Sequence, residues 1–301
     1  MDLRKRLIDP TNLGWLEFHH FGERGPKVLI TAGLHGGEAT GVHTARRIID
    51  FLKGEEAAGR LLDGRFVVLP VGNPTAFRRL QRTSPYDELD LNRIFPGDRD
   101  GTVSQRVAAS IWEEAEDASF VIDLHCCGTY GRSYTLALHE EHETARELAR
   151  KLSVPVVIES GGTRGQLFVE ASHRGIPAVI IELTGGGPVG EVSVPASNEA
   201  FEALVGLFRA EGLVAGPRNE PRPVFHGKLE GIRCPKDGFL EPRIAPGERA
   251  MRGQTVAALN GEPLKSPFHG TAIQVRPPSL VFAGQPAVVL APLAEPPPRR
   301  A

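Results

Sequence analysis

Three short apolar runs constrain the fold of this chain more than any other feature. They cover Val28–Ala32, Phe120–Leu124 and Ala178–Ile181, and runs of this length are typical of strands buried on both faces of a parallel sheet. Between about residues 26 and 215 such runs alternate with stretches in which apolar residues recur at helical spacing. That alternation predicts an α/β fold, with a mostly parallel or mixed central sheet flanked by helices.

Other segments of the same region extend the pattern. We expect further strands over 66–71 and 154–158, and helices over 38–52, 103–115 and 140–152. Gly54 is expected to end the first of these helices, because glycine readily adopts the conformation of a helix terminus.

The pattern changes after residue 216. A stretch rich in proline and charge, 217–223, reads as a linker, and the segments beyond it are short and separated by Gly and Pro. Asn260-Gly261 indicates a tight β-hairpin. We therefore predict an α/β domain over 1–216, a β-rich domain over 224–294 and a disordered tail over 295–301.

Composition limits the class of partner. The formal net charge is −2 and the sequence pI is near 6.6, so there is no general attraction to nucleic acid or to an anionic membrane. The amino terminus lacks a signal-like apolar stretch, no run is long enough to span a bilayer, and the three cysteines do not form a secreted disulfide pattern. We expect a cytoplasmic protein that acts on a small molecule, and the sequence leaves a homo-oligomer open.

Ionisable residues lie where the apolar runs end. His35 and Glu38 follow the first run, and His125 follows the second. Ligand sites of open α/β sheets gather beyond the carboxyl ends of the strands, and two His with one Glu is a known ligand set for catalytic zinc. Taken alone, His35 and Glu38 could be a solvated surface pair, and His125 could be a core histidine bonded to a backbone carbonyl.

Glu182 follows the third run, where a buried strand meets a glycine-rich loop. A carboxylate with a raised pKa beside a metal-bound water can act as general base and then as general acid. The alternative is a structural ion pair with Arg164 or Arg174. Asp123, two residues before His125, could orient that histidine or hold the end of a neighbouring helix.

An arginine-rich segment follows the predicted strand 66–71. Residues 73–97 contain several arginines among turn residues, and a guanidinium group can bind a carboxylate through two parallel hydrogen bonds or stabilise charge on a carbonyl oxygen. The same segment could also be a solvated basic loop.

Five short motifs occur in order along this region. They are Gly33-Leu-His-Gly-Gly-Glu38, Asn73-Pro-Thr-Ala-Phe77, Asp90-Leu-Asn-Arg93 with Phe95-Pro-Gly97, Asp123-Leu-His125 and Ile181-Glu182. Together they resemble the succinylglutamate desuccinylase/aspartoacylase family, which belongs to the wider zinc carboxypeptidase fold. The resemblance covers roughly residues 26 to 215, and the β-rich part is similar to the family's carboxy-terminal domain.

The resemblance implies one Zn²⁺ per chain, held by His35, Glu38 and His125, with Glu182 as general base and acid. It also implies that Arg82 polarises the scissile carbonyl and that Asn92 and Arg93 bind the substrate carboxylate. The implied activity is that of a zinc-dependent amidohydrolase: water hydrolyses the amide of a small N-acyl amino acid or a related diamino acid, releasing a carboxylic acid and a free amine.

The sequence departs from the family pattern in ways that leave the substrate open. Aspartoacylases use a carboxy-terminal tyrosine at the substrate, whereas the only tyrosines here are Tyr86, Tyr130 and Tyr134. An arginine for a distal substrate carboxylate has only Arg164 and Arg174 as candidates. The β-rich domain is similar to biotinyl/lipoyl-type folds, but Lys265 lacks the methionine neighbours of a biotinylation signal, so a lid over the site is favoured.

Two other functions fit the same residues. One is a metallocarboxypeptidase that acts on short peptides, and the other is a non-catalytic zinc-containing binding protein. A panel of N-acyl amino acids set against dipeptides separates the first, and a complete lack of turnover with stoichiometric zinc identifies the second.

Overall fold

A computed structural model describes residues 2–7 and 15–293 of the chain; the tail predicted over 295–301 lies outside them. The strands are β1 Asp2–Leu7, β2 Trp15–Phe21, β3 Lys27–Ala32, β4 Arg65–Leu69, β5 Phe120–Gly128, β6 Tyr134–Ala137, β7 Val156–Glu159, β8 Ala178–Gly186, β9 Glu191–Val192, β10 Val224–His226, β11 Glu230–Arg233, β12 Gly238–Pro242, β13 Arg249–Ala250, β14 Thr255–Leu259, β15 Glu262–Lys265, β16 Gly270–Val275, β17 Ser279–Val281 and β18 Pro286–Pro292. The helices are α1 Ala39–Ala57, α2 Pro74–Phe77, α3 Val103–Ala115, α4 Glu143–Lys151, α5 Leu167–His173 and α6 Val194–Ala210, with a 3-10 turn at Leu91–Arg93.

Ten of the described strands form one large sheet. Its order is β1-β2-β4-β3-β5-β8-β6-β7-β10, with β9 paired to β8. The central strands β4, β3, β5 and β8 are mutually parallel, whereas β2 runs antiparallel to β4 and β6 runs antiparallel to β8. The predicted α/β class with a mixed central sheet is confirmed, and the carboxyl ends of β3, β5 and β8 meet at one edge.

Helices cover both faces of this sheet. One buried cluster joins the sheet to α1, α4 and α6, and it includes Ile48, Leu148 and Phe208. A second cluster on the opposite face joins it to α3 and α5, and it includes Trp112 and Phe168. Because β3 is buried at all six positions, its apolar run has the composition of a strand covered on both sides.

The element boundaries differ from the prediction in three places. Helix α1 continues through Gly54 to Ala57 and ends where Gly59 adopts a positive φ of 66°, since a helix tolerates one interior glycine at about 1 kcal/mol. Strands β5 and β8 extend past His125 and Glu182 because the two strands remain paired as far as Gly128. Strands β1, β2, β6 and β9 and helices α2, α5 and α6 were not predicted.

The C-terminal part contains two small antiparallel sheets. Their orders are β11-β18-β16-β13 and β15-β14-β12-β17. The hairpin predicted at Asn260-Gly261 joins β14 to β15, and both residues have positive φ, as a type I′ turn requires. Strand β10 pairs instead with β7 of the large sheet. The division into 1–216 and 224–294 remains a proposal, in which the first three residues of the second unit extend the large sheet.

The C-terminal sheets pack on the loop that follows His125. The side-chain nitrogen Nε2 of Gln274 donates to the carbonyl of Cys127 at 2.9 Å, and the Arg132 amide donates to the Ile273 carbonyl at 2.8 Å. Tyr134 and Ile273 meet in a shared apolar cluster.

Across residues 2–7 and 15–293, no helix combines the length and the apolar character needed to cross a bilayer.

Candidate active site

Three ligand atoms converge beside the edge where β3 and β5 end. His35 and Glu38 lie between β3 and α1, and His125 lies in β5. The Nδ1 atom of His35 is 2.8 Å from Glu38 Oε1, and the Nδ1 atom of His125 is 2.9 Å from Glu38 Oε2. One ligand atom from each residue lies within 4.8 Å of the others. The three side chains together could hold a metal ion.

Glycine allows the loop between β3 and α1 to reach this geometry. Gly33 has a φ of +63°, and a Cβ atom on Gly36 would lie 2.1 Å from the backbone oxygen of Ala76. The Gly36 amide donates to the Gln81 carbonyl at 2.8 Å. Only a residue without a side chain fits this close approach, so His35 is held tightly against the segment that follows β4.

The second nitrogen of each histidine faces an aspartate. His35 Nε2 donates to Asp90 Oδ1 at 2.9 Å, and His125 Nε2 donates to Asp123 Oδ2 at 2.8 Å. Ionised carboxylates only accept hydrogen bonds, so each Nε2 carries a proton toward its aspartate, and the ionised Glu38 draws a proton to each Nδ1. A bound cation would displace the Nδ1 protons and take those lone pairs. Carboxylates commonly hold metal-ligating histidines in this way. Asp123, which also accepts from Thr31 Oγ1 at 2.7 Å, therefore orients a histidine rather than a helix end.

The donor set fits a divalent cation. Burial opposes charge on the imidazoles, yet the neighbouring carboxylates raise the pKa of His35, and raise that of His125 well above its ordinary value. Burial likewise opposes charge on Glu38, but His125 and His35 lower the pKa of this carboxyl to about 2. The buried Oε2 atom of Glu38 accepts no well-aligned hydrogen bond from the described residues, although His125 Nδ1 lies 2.9 Å away. Two imidazoles and an anionic oxygen thus surround a point that suits a cation such as zinc.

Glu182 lies directly beside this cluster. It sits in β8 opposite His125 of β5, so the register of the two parallel strands brings the fourth predicted residue to the same place. Burial raises the pKa of Glu182 to about 7, and the nearby charge of Glu38 acts in the same direction. A carboxyl group with this pKa can both accept and donate a proton near neutral pH.

The structural ion pair considered for Glu182 does not form. Arg164 binds Glu170 through Nε and Nη2, at 2.6 and 2.7 Å, and the guanidinium of Arg174 lies 5.8 Å from the Trp112 ring centre. In residues 2–7 and 15–293, Glu182 has no salt-bridge partner within 4.0 Å. The interpretation of Glu182 as part of a salt bridge with either arginine was wrong.

The arginine-rich segment lies against the same cluster. Arg82, half-exposed, contacts Asp90 Oδ2 through Nε and Nη2, each at 2.9 Å. Burial alone would raise the pKa of Asp90, but His35 and Arg82 hold it well below its usual range. Arg93 is exposed, and its Nη1 donates to the Asn92 carbonyl at 2.6 Å.

Asn92, which precedes Arg93 in the chain, is buried. The Leu167 amide donates to Asn92 Oδ1 at 2.9 Å, which directs the amide nitrogen of Asn92 toward His125 Nε2, 3.2 Å away. Asn92 and Arg93 were both predicted to bind the substrate carboxylate, but the contacts of Asn92 with Leu167 and His125 were not predicted. Asp90 was not predicted as a site residue either, and its only signal was its place in the motif Asp90-Leu-Asn-Arg93.

Comparison with known proteins agrees with this arrangement. The profile described as "Succinylglutamate desuccinylase/Aspartoacylase catalytic domain" matches residues 24–206. The chain is 31% identical over 248 residues to N-alpha-acetyl-L-2,4-diaminobutyric acid deacetylase of Halomonas elongata, which covers 77% of this chain and 70% of that enzyme. It is 29% identical over 230 residues to a succinylglutamate desuccinylase of Pseudomonas aeruginosa, which covers 65% of each protein and so just under two thirds of the relative.

Solved structures share the whole fold. A succinylglutamate desuccinylase from a Silicibacter species has a TM-score of 0.77 at 22% identity, covering 93% of this chain and 89% of that one. The product-bound ectoine utilization protein EutE from Ruegeria pomeroyi has a TM-score of 0.77 at 23% identity, with the same coverage of both chains. On the sequence match over residues 24–206, the chain belongs to the succinylglutamate desuccinylase/aspartoacylase family, whose members hydrolyse amide bonds.

Proposed function

We propose that this protein is a zinc-dependent deacylase, with one Zn²⁺ per chain, that hydrolyses the amide bond of a small N-acyl amino acid. The observation that carries the proposal is the convergence of His35, Glu38 and His125 beside a glutamate, Glu182, that has no arginine or lysine partner among the described residues. A structural ion-pair network would neutralise that carboxyl group. A hydrolytic site needs it free to exchange a proton.

His35, Glu38 and His125 would hold the ion. When bound, a zinc ion polarises a carbonyl oxygen and lowers the pKa of water. Glu182 accepts a proton from the attacking water at a carboxylate oxygen, and it returns that proton to the departing nitrogen. Its pKa of about 7 suits both steps. The products are a carboxylic acid and a free amine.

The arginines are assigned to the substrate. Arg82 has both contacts to Asp90 on Nε and Nη2, which leaves Nη1 to donate to the carbonyl oxygen as negative charge develops there. Arg93 presents an exposed guanidinium that suits the substrate carboxylate, with Asn92 directly behind it.

The side chain of the substrate is the less determined part. The names of the two relatives give different acyl groups on different amino acids: acetyl on 2,4-diaminobutyric acid in one, and succinyl on glutamate in the other. Arg164, one of two arginines considered for a distal carboxylate, binds Glu170 through Nε and Nη2. Of the two matches, the one that is longer and higher in identity is to a deacetylase of an N-acetylated diamino acid, so we place N-acetylated diamino acids first among the candidates.

A deacylation panel with the zinc-loaded protein tests the proposal. It should include N-acetyl-2,4-diaminobutyrate, N-acetylaspartate, succinylglutamate and dipeptides, with release of free amine as the readout. We expect turnover of an N-acyl amino acid and little of the dipeptides. Preference for dipeptides would identify a carboxypeptidase instead, and no turnover with stoichiometric zinc would support a binding protein.

The variant Glu182→Gln isolates the proton-transfer role. We expect kcat to fall by about 10²–10⁴-fold, while the protein still binds one zinc ion, because Glu182 is not among the three proposed ligands. Glu202→Gln, an exposed position on α6, is the matched control and should keep full activity. Full activity of Glu182→Gln would contradict the assignment.

A further inference from the structure

Among the described residues, Asp90 is the carboxylate that contacts both a proposed metal ligand, His35, and the arginine proposed to act on the scissile carbonyl, Arg82. Its Oδ1 atom accepts hydrogen bonds from His35 Nε2 at 2.9 Å and from the Asn92 amide at 3.0 Å. Its Oδ2 atom accepts from Arg82 Nε and Nη2, each at 2.9 Å. Each oxygen is therefore committed to a different partner.

Asp123 provides a contrast within the same site. It contacts His125 as Asp90 contacts His35, but its other oxygen accepts from the Thr31 hydroxyl, and the side chain is fully buried. Its contacts include no arginine among the described residues. Of the two carboxylates that orient histidines, only Asp90 extends to the proposed substrate side.

Asp90 is itself held in place. It caps the 3-10 turn Leu91–Arg93 through the Asn92 amide, and the side chain of Asn92 is anchored by the Leu167 amide at 2.9 Å. Arg82, by contrast, is a long side chain that is 54% exposed. Fixing such a side chain costs rotamer entropy, and the pair of contacts to Asp90 Oδ2 restricts it before a substrate arrives.

We propose that Asp90 is a positioning residue that sets the orientation of His35 and of Arg82 with a single carboxyl group. Asp90 then fixes both the ring orientation of His35 and the direction of the Arg82 guanidinium. The part that concerns Arg82 rests on the proposed function, whereas the part that concerns His35 does not.

Asp90→Asn tests the proposal because asparagine has one acceptor oxygen where aspartate has two. With the oxygen kept on the side of His35 and the Asn92 amide, the new NH₂ group faces Arg82, which it cannot accept from, and the neutral oxygen holds His35 more weakly than a carboxylate does. The size and the capping oxygen are retained, so the turn should still form, which thermal unfolding can check. Asp123→Asn is the matched control, since it perturbs the other histidine without involving an arginine.

Zinc affinity, measured by competition with a chelator, gives a readout that needs no activity. We expect Asp90→Asn and Asp123→Asn each to weaken zinc binding by about 10–100-fold, as loss of an outer carboxylate usually does. Arg82→Gln should leave zinc affinity near the wild-type value. Unchanged affinity in Asp90→Asn would overturn the role of Asp90 toward His35.

A double-mutant cycle at saturating zinc tests the link to Arg82. Arg82→Gln should lower kcat/KM by about 10²-fold in the wild type and in Asp123→Asn, but by at least about fivefold less in Asp90→Asn, where the guanidinium is already misplaced. Equal effects in all three backgrounds would overturn the coupling.

The position of Arg82 in a crystal structure of Asp90→Asn separates this inference from the proposed function. We expect the guanidinium to leave its place beside residue 90. If wild type hydrolyses nothing in the panel, the proposed function fails, but a displaced Arg82 and weakened zinc binding would still support Asp90 as a positioning residue. An Arg82 that stays in place would contradict it.

Discussion

At the scale of single residues, the proposed chemistry depends on which atoms face one another. His35 and His125 present Nδ1 to Glu38 because Asp90 and Asp123 accept the protons on Nε2. The residue types were predictable from the sequence. The choice of nitrogen was not, because Asp90 lies 55 positions from His35 and no local pattern indicates their contact.

Gly36→Ala should damage the metal site through the backbone. A Cβ atom at this position would lie 2.1 Å from the Ala76 oxygen, so the loop that carries His35 and Glu38 must shift. We expect a loss of about 1–3 kcal/mol of unfolding free energy, together with weaker zinc binding, as measured by urea unfolding and chelator competition.

Gly54→Ala is the control for that substitution. Gly54 lies within α1, and a Cβ atom there would contact nothing within 4 Å. Because alanine favours the helix, we expect a gain of up to about 1 kcal/mol. A Gly36→Ala variant as stable as the wild type would contradict the close approach.

At the scale of elements, strand register assembles the site. The parallel pairing of β5 with β8 sets His125 opposite Glu182, although both strands run further than their apolar runs suggested. The C-terminal sheets act on the next segment, since Gln274 and Ile273 of β16 hold the loop that leads from Cys127 to Arg132. Through these contacts the C-terminal part, which we proposed as a lid over the site, attaches to the loop that follows β5.

Gln274→Ala should loosen that loop. The bond from Gln274 to the Cys127 carbonyl is the side-chain link between β16 and the end of β5, and such a bond contributes about 0.5–1.5 kcal/mol. We expect faster amide hydrogen exchange over 128–132 with unchanged zinc affinity. Gln254→Ala, which removes a bond to the Met251 amide within the C-terminal part, should leave exchange in that loop as in the wild type.

At the scale of the whole molecule, His226 joins the large sheet to the C-terminal sheets. It is buried, its Nδ1 donates to the Val224 carbonyl, and its Nε2 faces the hydroxyl of Thr271 in β16, both at 2.9 Å. Burial lowers the pKa of His226 below the model-peptide value of 6.5. The folded protein therefore keeps this side chain neutral in a pH range where the unfolded chain binds a proton.

The sign of the resulting pH dependence follows from that difference. Above pH 6.5 both states leave the imidazole neutral, and below it only the unfolded state gains the proton, so the free energy of unfolding falls as pH falls toward the folded-state pKa. The slope from this group reaches at most about 1.4 kcal/mol per pH unit. We expect His226→Gln to reduce the loss of stability between pH 7 and 5.5 in urea unfolding.

His269 is an exposed residue in the same part of the chain, so His269→Gln is the matched control. The stability of this variant should change with pH as that of the wild type does. An identical pH dependence in wild type and His226→Gln would contradict a neutral, buried His226.

The fold class, the family and the types of residue in the cluster were all predictable from the sequence. Continuous apolar runs predict strands buried on both faces, and ligand-type residues at their ends collect at one edge of such a sheet. Short-range periodicity was sufficient for the strands and helices because it depends on residues close together in the chain, whereas the family was inferred from the resemblance of five motifs to those of known members. Strands β1, β2 and β6 escaped prediction, since their pattern is less continuous and their place is decided by pairing.

The way in which these residues act together became visible only in the folded chain. Neither Arg164 nor Arg174 pairs with Glu182, Arg164 binds Glu170, and Asp90 lies between His35 and Arg82. Each of these results depends on hydrogen bonds and burial between segments that are distant in sequence or that fold around one another. Such contacts are set by the packing of the sheet and its loops, which no local pattern of residues contains.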